Sequence, residues 1–411
     1  MAKKKVLIIG AGMAGLISGI QLAKTGNKVT IFERNPRIGK KLLVTGNGRC
    51  NLANKNMSSD HYHSESLNLY ETIYNQFDLD DTKKLFSEFG IDLIELDEGK
   101  LYPMSLQAKS VVLSLLLECE RLGVDIVYDT RVQSVEHKDK FKITTEEKVY
   151  YGTQLVIATG GKSYSDSGSS GDGYIIAKNF GHSIIDLHQS IVQLKTDGLY
   201  NKSLKGVKAH VEGKLLNNSN NKEIIRVENG EVLFTEYGLS GPVILQLSTK
   251  VEPLLSQGAK LSISLDFMPN MTVDELDQYL MERLHKLSYR SVQDALNGFV
   301  NQRFMVPFLK RSNIKLDQKA GDINKIERQA LVNTMKAFED NITDTYLWNQ
   351  AQVTKGGVSC LEVNADSLES NIIPNLFFAG EILDIDGDCG GYNLQWAISS
   401  GAAVAKHIHN K

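Results

Sequence analysis

The sequence predicts an α/β fold in which a parallel-sheet domain, split between the two ends of the chain, encloses an inserted antiparallel β domain. Short, fully apolar runs that lead into glycine are typical of buried parallel strands, and they occur at residues 6–9, 155–158 and 376–379. From about residue 190 apolar and polar residues alternate with period two, and from 272 the period becomes helical. We therefore predict a first domain of residues 1–189 and 357–411, a β barrel or sandwich at 190–271 with a return strand at 341–356, and a helical sub-domain at 272–340.

The composition is that of a globular protein and excludes several classes. The 411 residues carry 46 Lys and Arg against 49 Asp and Glu, a net charge of −3, and 42% of them are hydrophobic. This apolar content argues against disorder, four cysteines are too few for a small disulfide scaffold, and the charge balance argues against a broadly basic nucleic-acid binder. The apolar stretch 6–23 contains four glycines, so it predicts strand, turn and helix rather than a membrane span. We expect a cytoplasmic protein with reduced thiols.

The N-terminal residues form a strand–loop–helix–strand unit that is typical of dinucleotide binding. A strand at 6–9 runs into Gly10-Ala11-Gly12-Met13-Ala14-Gly15, a helical period follows, and a second strand at 28–32 ends at Glu33. The first glycine permits a tight turn, the second lets backbone N–H groups approach a pyrophosphate, and the third packs the helix on the strand. An acid at the end of the second strand bonds a ribose hydroxyl and repels a 2′-phosphate. The unit predicts a Rossmann-like domain; a doubly wound fold without a dinucleotide is the alternative.

Helical and strand periods predict the middle of the first domain. Ser105 is the expected N-cap of a helix whose apolar residues end at Leu122, and Gly123 occupies the position after its C-terminus. The expected strands are 124–127 and 155–158, the second leading into Thr159-Gly160-Gly161, with an antiparallel meander at 131–136, 141–145 and 148–151 between them.

The inserted region is predicted from alternation and capping signals. Residues 207–215 alternate with period two, the polar run 217–222 is an expected hairpin tip, and Glu228-Asn229-Gly230-Glu231 is a further hairpin-turn signal. Thr272 and Glu275 fit a capping box at the start of a helix. A helical face farther along the chain is predicted from Ile326, Ala330, Leu331, Met335 and Phe338.

Three further stretches resemble one bacterial flavoprotein family. They are Gly39-Lys40-Lys41 through Thr45-Gly46-Asn47-Gly48-Arg49-Cys50-Asn51, then residues 234–242, and finally Phe378-Ala379-Gly380-Glu381 through Gly390-Gly391-Tyr392-Asn393-Leu394-Gln395-Trp396-Ala397. In this order, and spread over nearly the whole chain, they resemble the BaiN-type or aminoacetone-oxidase-type NAD(P)/FAD-dependent oxidoreductases. Glu236 is a departure, since the family more often has histidine there, and this weakens an acid–base role for the position.

The resemblance implies FAD in an extended pose. Its pyrophosphate would lie on the 10–15 loop, its adenosine ribose on Glu33 and its adenine near the backbone of Val132, while Glu381 would bond the ribityl chain or the phosphate edge. A helix that begins near Tyr392 carries partial positive charge at its N-terminus, which at the flavin N1/C2 carbonyl would stabilise the reduced flavin anion. The cofactor-binding residues implied are Gly10, Gly12, Ala14, Gly15, Glu33, Arg34, Lys40, Lys41, Gly46, Gly48, Arg49, Cys50, Asn51, Val132, Thr159, Gly160, Gly380, Glu381, Gly391, Tyr392, Asn393 and Leu394.

The candidates for catalysis come from the presumed flavin-edge motifs. Arg49 and Tyr392 are named because both can donate hydrogen bonds there, although a surface ion pair is an ordinary alternative for Arg49. Cys50 and Cys389 also fall in these loops, but without a Cys-x-x-Cys motif they are better explained as apolar gap-fillers than as redox-active thiols.

No metal site is predicted. His61 and His63 flank Tyr62 with no third ligand near in sequence, so a solvated loop is the better interpretation. The three aspartates in the Asp384–Asp388 stretch lie among glycines, and ordinary turn chemistry explains them.

We therefore predict an FAD-dependent oxidoreductase that takes hydride from NADPH or NADH and passes it to a small organic substrate held between the first domain and the insert. By resemblance the acceptor is an activated C=C bond or, as an alternative reaction, the substrate is an amine oxidised with dioxygen. A nicotinamide would bind only transiently, because the sequence has no second Gly-x-Gly-x-x-Gly unit.

A non-catalytic flavin redox sensor acting on a partner is a second class of function, and an RNA-modifying flavoenzyme is a third. We expect no nucleic-acid or membrane partner, since no clustered Lys/Arg stripe is evident in the sequence.

Overall fold

The computed structural model describes residues 3–411, which form two compact units. The sheet unit comprises the chain up to Gln189 together with Trp348–Lys411, and the barrel unit is Ser190–Leu347. The chain therefore returns to the sheet unit at residue 348, earlier than the predicted 357. Among the described residues no helix is long and apolar enough to cross a membrane.

The sheet unit begins with alternating strands and helices. Its elements before the insert are β1 Lys5–Ile9, α1 Met13–Lys24, β2 Lys28–Phe32, β3 Ala53–Asn54, β4 Tyr62–His63, α2 Leu67–Tyr74, α3 Leu79–Glu88, β5 Leu93–Glu95, β6 Lys100–Pro103, α4 Ala108–Arg121, β7 Asp125–Val127, β8 Ser134–His137, β9 Phe141–Thr144, β10 Val149–Gly152, β11 Gln154–Ile157, α5 Asp172–Asn179 and β12 Ile184–Ser190.

The barrel unit and the C-terminal return follow in the chain. The barrel unit contains β13 Leu194–Thr196, α6 Asn201–Leu204, β14 Lys208–Asn217, β15 Glu223–Phe234, β16 Gly238–Ser240, α7 Pro242–Leu247, α8 Val251–Ser256, β17 Leu261–Asp266, α9 Val273–Lys286, α10 Val292–Leu296, α11 Gln302–Arg311, α12 Lys325–Lys336 and β18 Phe338–Thr345. The return to the sheet unit consists of β19 Val353–Val358, β20 Leu376–Phe378, β21 Asp386–Gly387 and α13 Tyr392–Asn410.

The centre of the sheet unit is a parallel sheet of five strands in the order β20-β11-β1-β2-β7. Ile8 of β1 lies between Val156 and Ile31, and the side chains of β1 from Val6 onward are buried. This confirms the predicted parallel sheet and its completion by the C-terminal segment. Helix α13 packs closely on α1, where the Ser18 hydroxyl donates a 3.0 Å hydrogen bond to the carbonyl of Gly401.

Two boundaries in the sheet unit differ from the prediction. The N-cap of α4 is Gln107, and the Ser105 hydroxyl instead donates to that of Ser110. The first meander strand, β8, begins at Ser134 rather than at residue 131, because Ser134 pairs with Thr144, where the partner strand β9 ends. Gly123 has φ +68° after the end of α4, which confirms its predicted role.

The barrel unit contains a closed antiparallel barrel in the order β13-β16-β15-β14-β17-β18. The predicted tip at 217–222 is confirmed, since β14 ends at Asn217 and pairs with β15 from Glu223. The predicted turn at Asn229-Gly230 is wrong: both residues lie inside β15 and pair with β14. A two-residue turn of that type needs positive φ at both positions, and Asn229 does not have it.

The helices of the insert share one hydrophobic core with the barrel rather than forming a separate sub-domain. The ring of Phe267, which follows β17, packs edge-on against those of Phe304 and Phe308 on α11. The capping box is confirmed, because the Thr272 hydroxyl accepts from the Glu275 N–H at 3.2 Å. The predicted helical face is only partly correct: Leu331 and Met335 are buried, but Ile326 is 79% exposed and Phe338 belongs to β18.

Candidate functional site

The glycine loop between β1 and α1 lies at the carboxyl end of the central strand. Gly10 has φ +105°, and a Cβ built on Gly15 would overlap the carbonyl oxygen of Gly10, so a side chain at position 15 would displace backbone. A Cβ on Gly12, in contrast, has no atom of the described part of the chain within 4 Å, apart from those of Gly12 itself and its two chain neighbours. Ala14 is buried and lies against Gly380 of the next loop. The space over Gly12 at the N-terminus of α1 is therefore open where a pyrophosphate would approach.

Glu33 connects the end of β2 to the glycine loop. Its carboxylate is buried and accepts hydrogen bonds from the Ala11 N–H at 3.1 Å and from the backbone N–H of Asn35 at 2.9 Å. The Asn35 side chain donates a third bond at 2.7 Å. A carboxylate has about four acceptor sites, so Glu33 retains capacity for a ribose hydroxyl. The neighbouring Arg34 forms an ion pair with Asp172 at 3.5 Å.

A second polar group, centred on Glu381, joins the loops that contain Lys41 and Ser163 to the start of β19. Glu381, which follows β20, accepts from the Lys41 ammonium at 2.7 Å, from the Ser163 hydroxyl at 2.9 Å and from the Thr354 N–H at 2.7 Å. Lys40 donates to the carbonyl of Asp166. Ser163 and Thr354 were not predicted from the sequence, since neither lies in a recognisable motif.

Thr159 and Gly160 begin the loop that leads to Ser163. Gly160 has φ +68°, and a Cβ on Gly173 would overlap the Thr159 hydroxyl, so the loop lies tightly on α5. Val132 is a partly buried residue just before β8 and packs on the core of the sheet unit. In open α/β sheets ligands bind at the carboxyl ends of the strands, which is where these loops converge.

The 45–51 segment is a tightly wound loop with several left-handed residues. Gly46, Gly48 and Cys50 have φ of +56°, +80° and +61°, and a Cβ on Gly46 would lie 2.8 Å from the Asn51 nitrogen. Asn51 is 9% exposed, and its side-chain oxygen accepts no hydrogen bond within residues 3–411. The Arg49 guanidinium lies 4.8 Å from the centre of the Tyr102 ring and is not in a surface ion pair with any described residue. The segment thus presents an unsatisfied buried acceptor.

Burial decides the chemistry of the cysteines in these loops. Cys50 is fully buried, and burial raises the pKa of its thiol to about 12. Burial also raises the pKa of the Cys389 thiol. A thiol that stays protonated is a poor nucleophile, which favours the interpretation of both cysteines as apolar fillers.

The C-terminal motif forms the N-terminus of α13. Gly391 has φ +104°, and a Cβ there would overlap the carbonyl of Ala53. Asn393 holds the preceding turn by accepting from the Gly387 N–H at 2.9 Å and donating to its carbonyl at 2.7 Å. Leu394 packs on the core, and burial raises the pKa of Tyr392 to about 12. The helix N-terminus predicted for this motif is confirmed.

The sequence suggested that the histidine pair lies in a solvated loop and that the aspartates are ordinary turn residues. The structure contradicts both interpretations. β4, which contains His63, pairs with β21, and Asp386 lies opposite His63. Asp388 is 4% exposed and lies 3.4 Å from His61 Nδ1 and 3.0 Å from His63 Nε2. Pairing of two segments more than 300 residues apart creates this cluster, and no local pattern reveals it. Within residues 3–411 no three such side chains are arranged to hold a metal ion.

Asp384 is expected to make the stability of the fold depend on pH. Burial raises its pKa from 3.8 to about 6, although the Glu65 N–H donates to it at 3.1 Å. The folded chain therefore takes up a proton near pH 6 that the unfolded chain takes up only near pH 4, so this group adds stability as the pH falls between these values. Asp384→Asn is expected to remove this dependence and to raise the free energy of unfolding at pH 8 by about 3 kcal/mol. Denaturant unfolding of both proteins at pH 5 and pH 8 measures it; an equal pH dependence in the two would contradict the assignment.

The residues present fit FAD. Among residues 3–411 the glycine loop leaves open space only over Gly12, the Glu33 carboxylate is fixed beside this loop, and no donor reaches the buried Asn51 oxygen. Each observation matches a need of the cofactor: approach of a pyrophosphate, a ribose hydroxyl acceptor and a partner for a flavin N–H.

The chain matches a known protein family over nearly its whole length. The family model described as HI0933-like protein Rossmann domain matches residues 4–407. The chain is 32% identical over 400 residues to a 3-dehydro-bile acid Δ(4,6)-reductase of Clostridium scindens, with 97% of each chain covered. It is 31% identical over 415 residues to a ribosomal RNA dihydrouridine synthase of Haemophilus influenzae, with 98% of each covered, and 30% identical over 414 residues to that of Escherichia coli, with 99% of this chain and 98% of the relative covered. Among solved structures, a 3-ketosteroid Δ1-dehydrogenase of Sterolibacterium denitrificans aligns over the whole of both chains with TM-score 0.53 at 12% identity, a likeness of fold.

Proposed function

The chain belongs to the HI0933-like Rossmann family and is an FAD-binding oxidoreductase, and from this premise we propose that it reduces a carbon–carbon double bond conjugated to a carbonyl group. NADPH or NADH is the proposed source of hydride. When bound, FAD supplies hydride transfer between the nicotinamide and the substrate.

One observation carries the proposal: relatives with different substrates share one kind of reaction. A 3-dehydro-bile acid Δ(4,6)-reductase and a dihydrouridine synthase are each similar to this chain over at least 97% of its length. In a 3-oxo steroid with Δ4 and Δ6 bonds the alkenes are conjugated to the carbonyl, and the double bond that is absent from dihydrouridine is conjugated to a carbonyl of the uracil ring. What these relatives have in common is therefore hydride and proton addition to an electron-poor alkene.

The residues of the site have distinct proposed tasks. The N-terminus of α1 and the space over Gly12 would accept the pyrophosphate, and Glu33 would accept from a ribose hydroxyl. Glu381, which is fixed by Lys41, would hold in place the loop that follows β20 at the edge of the site. The N-terminus of α13 at Gly391 would stabilise negative charge on the reduced isoalloxazine ring.

An anaerobic titration of the FAD-loaded protein with NADPH and, separately, NADH tests the hydride source. Bleaching of the flavin absorbance by either nicotinamide is the expected result. Failure of both, with FAD bound, would contradict the nicotinamide link and favour the amine oxidase or the redox sensor.

The acceptor test follows flavin reoxidation after anaerobic reduction. The probes are 2-cyclohexenone, 4-androstene-3,17-dione, free uridine and in vitro transcribed ribosomal RNA. We expect rapid reoxidation by a small enone and formation of the saturated ketone. Reoxidation by dioxygen alone, with none of the four probes reduced, would overturn the proposed function.

RNA is a second candidate substrate, and an exposed surface of the barrel unit favours it. Residues 283–325 contain nine Lys and Arg against three Asp and no Glu, an excess that the overall balance conceals. Seven of these cations are exposed and form no ion pair within residues 3–411, and five of the seven are here called the basic end: Lys286, Arg290, Lys315, Lys319 and Lys325. Backbone hydrogen bonds join 288–292 to 318–321, and Tyr289 is 71% exposed with the Arg290 guanidinium 5.4 Å from its ring centre. Exposed cations beside an aromatic ring suit phosphates and an unstacked base.

Reversing the charge of the basic end distinguishes RNA from a small enone as the substrate. If RNA is bound through the basic end, Arg290→Glu with Lys319→Glu is expected to weaken binding of the transcribed RNA by roughly tenfold or more and to reduce its salt dependence. Lys202→Glu with Lys260→Glu, at two exposed lysines outside the basic end, is the matched control with the same change of charge. Equal affinities of the two variants and the native protein in a fluorescence-anisotropy titration would remove RNA as a candidate.

A further inference from the structure

A buried aspartate bridges two histidines beside the first residue of α13. The Asp388 side chain is 5% exposed, with one carboxylate oxygen 3.4 Å from His61 Nδ1 and the other 3.0 Å from His63 Nε2. The Asp388 N–H donates to the carbonyl of His61 at 2.8 Å, so main chain and side chains together fix the pair. The two imidazoles differ in accessibility: the His61 side chain is 36% exposed and that of His63 is 13% exposed.

The His61 ring is oriented from two sides. Its face stacks on the Tyr392 ring, with centroids 4.3 Å apart and planes 21° from parallel, and its Nδ1 is directed to Asp388. Its Nε2 makes no hydrogen bond within residues 3–411. A carboxylate on one ring nitrogen leaves the other to exchange protons, which is the arrangement that orients a histidine for acid–base catalysis.

Reduction of a conjugated alkene requires both a hydride and a proton. Hydride arriving at the carbon β to the carbonyl breaks the π bond and moves its electron pair toward the carbonyl, giving an enolate, and the α carbon must then receive a proton. Resting on the proposed function, we propose that His61 is this proton donor: its Nε2–H bond breaks as the Cα–H bond forms. The neutral imidazole then recovers a proton from solvent, which reaches the exposed part of the side chain.

Neighbouring groups are poorer donors. Tyr392 is 4% exposed, and burial raises its pKa to about 12. Tyr62 is also buried, and its hydroxyl donates to the carbonyl of Tyr392 at 2.8 Å. Burial raises the pKa of the Cys389 thiol, and Asp388 already faces two imidazoles. His61 is thus the imidazole of this cluster that is the more reachable from outside, with its side chain 36% exposed against 13% for His63.

The test compares His61→Ala with His63→Ala, which removes the other partner of the same aspartate. With the FAD-loaded proteins, His61→Ala is expected to slow enone-driven reoxidation of the reduced flavin by about 10²-fold. Reduction of the flavin by the nicotinamide is expected to continue at the native rate. Added imidazole is expected to restore much of the rate in His61→Ala and none in His63→Ala, because only the first variant lacks the proton donor.

A nitroalkene separates the proton step from the hydride step. 1-Nitrocyclohexene accepts hydride to give a nitronate that persists without enzymatic protonation, so His61→Ala is expected to reduce it at the native rate. Acylation by diethyl pyrocarbonate, located by peptide mass spectrometry, supplies a readout that is independent of turnover. In the native protein His61 is expected to be labelled faster than His63, and 4-androstene-3,17-dione is expected to protect it.

The possible outcomes separate this inference from the proposed function. If the native protein reduces enones and His61→Ala does so equally fast, the proton-donor role is wrong while the proposed function stands. Equal losses in the two histidine variants without imidazole rescue, or loss of nitroalkene reduction in His61→Ala, would also overturn the role, because the cluster would then only support the fold. A native protein that reduces none of the enones, uridine or RNA overturns the proposed function and this inference together.

Discussion

Gly12→Asp is expected to abolish retention of FAD and, in the same protein, to leave the apoprotein at least as stable as the native chain. Position 12 is the N-cap of α1, with extended backbone that any residue adopts, no side-chain cap and no acid in the first helical turn. Aspartate is a favoured N-cap and complements the helix dipole, so it stabilises the helix by up to about 1 kcal/mol. The same carboxylate fills the open space over the loop and places a negative charge where the pyrophosphate would lie.

Two further variants separate shape, charge and folding at this loop. Gly12→Asn, which has the same shape without the charge, is expected to weaken FAD binding by a smaller factor than Gly12→Asp. Gly15→Ala is expected to lower the free energy of unfolding of the apoprotein by about 1–3 kcal/mol, because its Cβ would overlap the carbonyl of Gly10. Equilibrium dialysis of FAD and thermal unfolding of the apoproteins measure the two effects. Retention of FAD by Gly12→Asp would show that the loop does not hold the pyrophosphate.

Glu381→Ala is expected to have the largest effect on stability among the site residues, about 3 kcal/mol in the free energy of unfolding of the apoprotein. Removing this carboxylate leaves the Lys41 ammonium and the Thr354 N–H without the acceptor they share. The Glu381 side chain is only 18% exposed, so water can replace only part of the interaction that Lys41 and Thr354 lose. Urea unfolding of the FAD-free protein measures the change.

Glu236→Ala is the matched control, since that carboxylate is exposed and pairs with Lys205 on the surface of the barrel unit. It is expected to leave the urea midpoint unchanged, as exposed ion pairs contribute little. Similar losses in the Glu381 and Glu236 variants would mean that the loop junction at Glu381 does not support the fold.

Local patterns were sufficient for the elements whose side chains and turns interact within a few residues. The strand–glycine loop–helix–strand unit ending at Glu33, the capping box of Thr272 and the helix N-terminus at Gly391 were all predicted correctly. Where a local signal competed with sheet pairing, pairing prevailed: Asn229-Gly230 resembles a turn but is held inside β15 by ten residues of β14. Ile326 fitted a helical period, yet the orientation of α12 on the barrel left it exposed.

The sequence by itself determined that this protein has a glycine-rich dinucleotide loop on a parallel sheet, an acid at the end of β2 and an antiparallel insert, because strand alternation, glycine conformation and helix capping depend on near neighbours. Only the tertiary structure decided that Glu381 joins Lys41, which lies 340 residues earlier, and that Asp388 bridges His61 and His63. The first contact arises when strands from both ends of the chain join one parallel sheet and bring their loops together, and the second when β21 pairs with β4. Since side-chain partners there are set by strand order and not by spacing along the chain, a single sequence read locally contains no signal for them.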